Sequence, residues 1–140
     1  MDRFATAVWK GGLKGGLGVL TTETGVLSDT PYSFDARFKS GAGTNPEELV
    51  AAGHAGCFTM DLSARLEGKN MTAEKLETKA TLTLDKGSQG FSVTRIHLDV
   101  AAVIPNADEQ VFQAAVMEAK ENCPISRLLN TEITVSARIV

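Results

Sequence analysis

Two cysteines carry the reactive potential of this chain: Cys57, in the run Gly56-Cys57-Phe58, and Cys123, directly before Pro124. A thiolate is a nucleophile and a two-electron reductant, so two thiols that meet in a fold can pass from dithiol to disulfide and back. Cys123 precedes a proline suited to the first position of a helix, which puts its side chain at an N-cap, where free N–H groups and the helix dipole favour the thiolate. Cys57 lies in apolar sequence, where desolvation raises a thiol's pKa unless a cation reaches it. By local sequence, then, Cys123 is the more easily ionised of the two. Composition and spacing leave two readings open, a redox pair or two inert core thiols. His54, one helical turn before Cys57, could act as a base, but a packed or hydrogen-bonded histidine is the expected role. A hydrolase built on Cys57 and His54 lacks an orienting carboxylate. No CxxC or Cys/His cluster is present, so no zinc site is expected, and no cofactor motif is found.

The elements that must position these residues follow from periodicity and turn chemistry. Residues 4–9 and 19–22 are expected as strands joined across the glycine-rich tract at 11–18, which matches neither a dinucleotide-binding nor a P-loop pattern and is read as a hairpin turn. The alternation of residues 32–37 suggests a further short strand after the turn at Asp29-Thr30-Pro31. Asn45-Pro46-Glu47-Glu48 is a helix start: asparagine caps, proline suits the first position, and Glu48 can close a capping box. From there to about residue 66 small or apolar residues occupy almost every face, describing a central buried helix with Cys57 midway. Its Gly53 and Gly56 invite close approach of a backbone or a substrate. Strands over 74–84 and 91–103 form a second hairpin. Within the latter, Ile96, Leu98 and Val100 alternate with Arg95, His97 and Asp99, which makes His97 a solvated strand residue. A helix over 108–122, a break at Cys123-Pro124, a short helix to 129 and a strand over 132–139 complete an α+β pattern.

At 140 residues the chain, 1–140, is read as a single domain. Its 14 basic residues are scattered among 17 acidic ones for a net charge of −3, without a Lys/Arg block that could track a phosphate backbone, so no nucleic-acid partner is expected. No apolar run approaches the roughly 18–20 residues of a membrane span, and the opening residues lack the pattern of a secretory signal, so the expected location is cytoplasmic.

Three segments together narrow the chemistry. Gly43-Thr44-Asn45-Pro46-Glu47-Glu48-Leu49, Ala51-Ala52-Gly53-His54-Ala55-Gly56-Cys57-Phe58 and Cys123-Pro124-Ile125-Ser126-Arg127-Leu128-Leu129 closely resemble the OsmC/Ohr family of osmotically inducible and organic hydroperoxide resistance proteins, in matching order along the chain. The resemblance implies an OsmC-like fold, with β hairpins packed around a long central helix, in an intertwined homodimer. It also implies a peroxidase of organic hydroperoxides in which Cys57 attacks, Cys123 forms the disulfide, an arginine–glutamate pair shapes the pocket, and an external dithiol, of the lipoyl kind, restores the thiols. Glu47 matches the glutamate. The hydroperoxide-resistance branch takes its arginine from the first hairpin, where this chain offers only Lys10 and Lys14; the OsmC branch takes it from just before the capped helix, where Arg37 lies. The resemblance is therefore to the OsmC branch. Ten residues of helix separate Glu47 from Cys57 by about 15 Å, which suggests that the Arg37–Glu47 pair serves the cysteine of a second chain. The contrasting reading is a ligand-binding or structural protein of the same fold with unreactive cysteines.

Overall fold

The computed structural model describes residues 1–140, which divide into two compact units, Met1–Leu49 and Val50–Val140. In the first unit, β1 (Ala5–Lys10) and β2 (Leu17–Thr22) pair antiparallel as the expected hairpin, and β2 pairs antiparallel with β3 (Thr30–Tyr32). Gly18 stands in register between Trp9 and Tyr32, and a Cβ there would lie 2.3 Å from the Tyr32 ring. The two aromatic rings close over the space that glycine leaves, 5.3 Å apart between centroids, and so pin the register of a sheet with few other large side chains.

The strand expected over 32–37 is corrected by the structure. β3 ends at Tyr32, and α1 (Phe34–Phe38) is a short helix. Ser33 is its cap, its hydroxyl accepting from the Ala36 N–H at 3.0 Å. The aromatic spacing read as strand alternation also satisfies a helical pair four residues apart, and the Phe34 and Phe38 rings meet at 4.9 Å.

The long helix α2 (Pro46–Gly68) begins as expected, with the Asn45 side-chain oxygen accepting from the Glu48 N–H at 2.8 Å. The capping box is only half made: the Glu48 carboxylate instead accepts from the Thr44 hydroxyl at 2.8 Å. Beyond Leu49 the helix buries one stripe, His54, Phe58, Leu62 and Leu66, spaced four apart. The opposite face, including Ala52, Gly53, Gly56 and Met60, is exposed in the single chain, and a Cβ on either glycine would meet nothing. Burial on every face is thus realised on one face within the chain.

The rest of the second unit supplies the partner of that stripe. β4 (Lys75–Gly87) and β5 (Gly90–Val103) form a long antiparallel hairpin, and β6 (Glu132–Ile139) joins β5 in parallel. A parallel neighbour requires a crossover, and α3 (Glu109–Asn122) with α4 (Pro124–Leu128) provide it. Asp108 caps α3 by accepting from the Gln110 and Val111 N–H groups. The core is built from α2, from Ile96, Leu98 and Val100 on the inner face of β5, and from Phe112, Val116 and Ala119 of α3. His97 points to the other face, as its place in the alternation predicts, where its ring nitrogens meet the Thr134 and Ser136 hydroxyls. No helix is long and apolar enough to cross a membrane.

Because Leu62 is fully buried at the centre of the α2 stripe, Leu62→Ala is expected to cost about 2–5 kcal/mol in urea unfolding. A loss below about 1 kcal/mol would show that the stripe is not a packed core.

Candidate active site

Cys123 stands where one helix stops and another starts. Its N–H still closes α3 onto the Ala119 carbonyl at 2.9 Å, while its own carbonyl accepts from the Arg127 N–H and begins α4. Proline at 124 cannot extend the α3 ladder, so the chain must turn at this residue. The turn drives the Cys123 side chain into the core, fully buried, with its sulfur 2.9 Å from the sulfur of Cys57. Both cysteines are free thiols, and the Cys123 S–H donates to Cys57. The structure therefore brings together the two cysteines singled out from the sequence, although 66 residues separate them.

The electrostatics revise the local reading. Cys123 occupies the N-cap of α4 but its side chain makes no capping bond. The Ile125 N–H, in the first turn of α4, instead acts on the Cys57 sulfur and favours its thiolate. That help is outweighed. Burial, then the hydrogen bond from Cys123, and to a lesser degree the negative charge of Asp61, push the Cys57 thiol above its usual range. Asp61 is itself held by Arg65 at 2.5 Å, and Arg65 and Lys69 both reach Glu118, tying α2 to α3.

A second contact runs beside the sulfur pair. His54 Nε2 lies 2.8 Å from the Ser126 hydroxyl, with both residues buried. His54 is three residues before Cys57 and Ser126 three after Cys123, so the same two segments are joined twice, one turn apart. The expectation of a packed, hydrogen-bonded histidine matches this geometry; the identity of its partner carried no local signal. The other ring nitrogen, Nδ1, is buried without a partner, and burial lowers the pKa of the ring.

Arg37 and Glu47, in the first unit, form the other constellation. Arg37 Nε donates to both carboxylate oxygens of Glu47 at 3.0 and 3.2 Å, and Nη2 to one of them at 2.6 Å. This fork geometry fixes the guanidinium plane. The Phe38 ring packs against it at 5.1 Å. A cavity of about 290 Å³ opens beside them, lined by Trp9, Tyr32, Phe34, Phe38 and Arg37. It joins an apolar wall to one cation, which suits a molecule with a hydrocarbon tail and a polar head. No three of the His, Cys, Asp and Glu side chains converge as a metal would require.

The lowered pKa of His54 has a measurable consequence. Below about pH 6.5 the unfolded chain gains a proton that the folded ring resists, so this residue's contribution to stability is present above that pH and declines as pH falls through it. An NMR titration is expected to place the His54 midpoint below about 6.5; a midpoint at or above that value contradicts the buried, neutral ring.

Residues 39–138 match the family model described as OsmC-like protein. The chain is 41% identical over 133 residues to the peroxiredoxin OsmC of Escherichia coli, covering 95% of this chain and 93% of that one. The crystal structure of the organic hydroperoxide resistance protein OhrB of Bacillus subtilis superposes with a TM-score of 0.72 at 28% identity, over 98% of each chain. An OsmC-like protein of Vibrio cholerae, 20% identical, shares the fold with a TM-score of 0.79 over 99% of each chain.

Proposed function

The chain belongs to the OsmC-like protein family, and we propose that it is a thiol peroxidase that reduces organic hydroperoxides to alcohols by cycling Cys57 and Cys123 between dithiol and disulfide. The observation that carries the reading is the 2.9 Å contact between the chain's two sulfurs. The Cys57 thiolate attacks the terminal oxygen of the hydroperoxide; the O–O bond breaks, an alkoxide leaves and takes a proton, and Cys57 becomes a sulfenic acid. Cys123 then attacks the Cys57 sulfur, the S–O bond breaks, water leaves, and the disulfide forms. An external dithiol, proposed to be of the lipoyl type, returns both thiols. A reducing cytoplasm is the setting in which such a pair is free to cycle.

Half-burial of Cys57 leaves its sulfur within reach of a small substrate, whereas Cys123, sealed in the core, suits the second step. Arg37 supplies the missing positive charge. With Nε and Nη2 engaged by Glu47, its remaining amino group can face the thiolate and the departing oxygen. Along α2, ten residues between Glu47 and Cys57 amount to about 15 Å, so the pair serves the Cys57 of a second chain, in a homodimer with two shared pockets. Open space over Gly53 and Gly56 on the exposed face of α2 supports the approach of that second chain.

The raised Cys57 thiol favours the rival reading of an inert protein for as long as a chain acts alone, and this makes the shared pocket testable. With a dithiol reductant, the wild type is expected to consume an organic hydroperoxide. Cys57→Ser should abolish turnover and Arg37→Met should lower it about a hundredfold. Mixing the two variants under exchange conditions should restore roughly a quarter of the activity, since half the dimers are mixed and each has one intact pocket of two. A mixture as inactive as its components, or full wild-type activity in a dilute monomer, would rule out the shared pocket. No consumption by the wild type would remove the peroxidase reading altogether.

A further inference from the structure

His54 is a fully buried imidazole with a single hydrogen bond, and that bond goes to Ser126. An apolar side chain of similar size would fill the site without stranding Nδ1. The one thing the ring does that such a side chain could not is hold α4. This matters because α4 is five residues long, too short to have cooperativity of its own, so its position is set by what it touches. At its two ends the Arg127 N–H meets the Cys123 carbonyl and the Leu129 N–H meets the Ile125 carbonyl.

We propose that His54 and Ser126 are a positioning pair for disulfide closure, holding α4 against α2 so that Cys123 meets the Cys57 sulfenic acid before a second hydroperoxide does. The inference rests on the two-cysteine peroxidase reading above. To close, the sulfurs must move from contact to a bond of about 2.05 Å, with Cβ atoms about 3.8 Å apart. Small displacements of α4 remove that geometry. The bond between His54 and Ser126 lies one turn from the sulfur pair on both segments, so it restrains the same coordinate.

Two fates compete for the sulfenic acid. In one, the Cys123 sulfur displaces the oxygen as water and the disulfide forms, with the Cys123 proton leaving in that water. In the other, the sulfenic sulfur attacks a second hydroperoxide, the O–O bond breaks, one oxygen is gained as sulfinic acid and a second alcohol is released. The hydroperoxide is the oxidant in both. The first fate is set by geometry within the chain, the second by peroxide concentration. Loosening α4 shifts the balance toward the sulfinic acid whatever it does to the first attack, which the Ile125 N–H also serves, since the sulfenic acid partitions only after that step.

The test uses the reduced full-length protein, graded cumene hydroperoxide and no reductant, with intact and peptide mass spectrometry to count disulfide against sulfinic acid at Cys57. Ser126→Ala removes one hydroxyl, and His54→Phe independently removes both ring nitrogens while keeping a ring. In each, the peroxide concentration that gives half sulfinic acid is expected to fall roughly tenfold, a larger change than any in the rate of the first attack on peroxide. Ser126→Thr, which keeps a hydroxyl, should restore the wild-type balance. Thermal melting run alongside separates a shift in balance from general loosening, which would unfold the chain near the assay temperature. The inference is overturned if both Ser126→Ala and His54→Phe close the disulfide as the wild type does at every dose, or if the first attack slows by as much as closure. A wild type that forms no disulfide removes the peroxidase reading and this one with it, an outcome distinct from wild-type closure that the variants share.

Discussion

A sulfur on a helix and a sulfur at a helix break must be kept in contact while the chain runs 66 residues between them, and the rest of the second unit is arranged around that demand. The long β4–β5 hairpin gives α2 a wall to bury its stripe against. The parallel pairing of β5 with β6 forces a crossover, and the crossover carries α3 and α4 back to the same wall. Proline at 124 then ends one helix and starts the next at Cys123, aiming its side chain inward. A residue in mid-helix would have no such freedom of direction.

Contact creates an electrostatic difficulty. The burial that holds the sulfurs together is the leading reason that the Cys57 thiol resists ionisation, and the hydrogen bond from Cys123 adds to it. The Ile125 amide, one end of a very short helix, recovers only part of the loss. A permanently charged guanidinium, planar and pre-set by a carboxylate, is the kind of group that could reverse the balance, and Arg37 bound to Glu47 has that form. The proposal that it comes from a second chain turns the weakness of the isolated unit into a reason for assembly: the thiol is activated where two chains meet.

Much of this is legible in the sequence. The cap at Asn45 and the alternation along β5 each have a local cause, and each falls where it was expected. Residues 34–38 read as a strand by alternation because Phe34 and Phe38 fit both periods; the deciding signal is Ser33, whose hydroxyl accepts from the Ala36 N–H. At Cys123 the helix start was correctly placed but its beneficiary was not, since the first-turn amide serves a sulfur on another helix. The partnership of His54 with Ser126 is of the same kind, two residues 72 positions apart with no motif to join them. The meeting of the cysteines themselves is implied by family resemblance, because composition and spacing alone favour two inert core thiols. Local physics reads elements; which side chains face one another across them is decided by topology.

The central claim is that the two thiols of one chain are a single redox unit. Its most direct measurement is the mass of the reduced wild-type protein after one equivalent of an organic hydroperoxide, followed by peptide mapping under non-reducing conditions. The account predicts a chain lighter by two hydrogens, with the Cys57 and Cys123 peptides joined within that chain. An unchanged mass with both thiols still titratable, or a disulfide only between different chains, would contradict it.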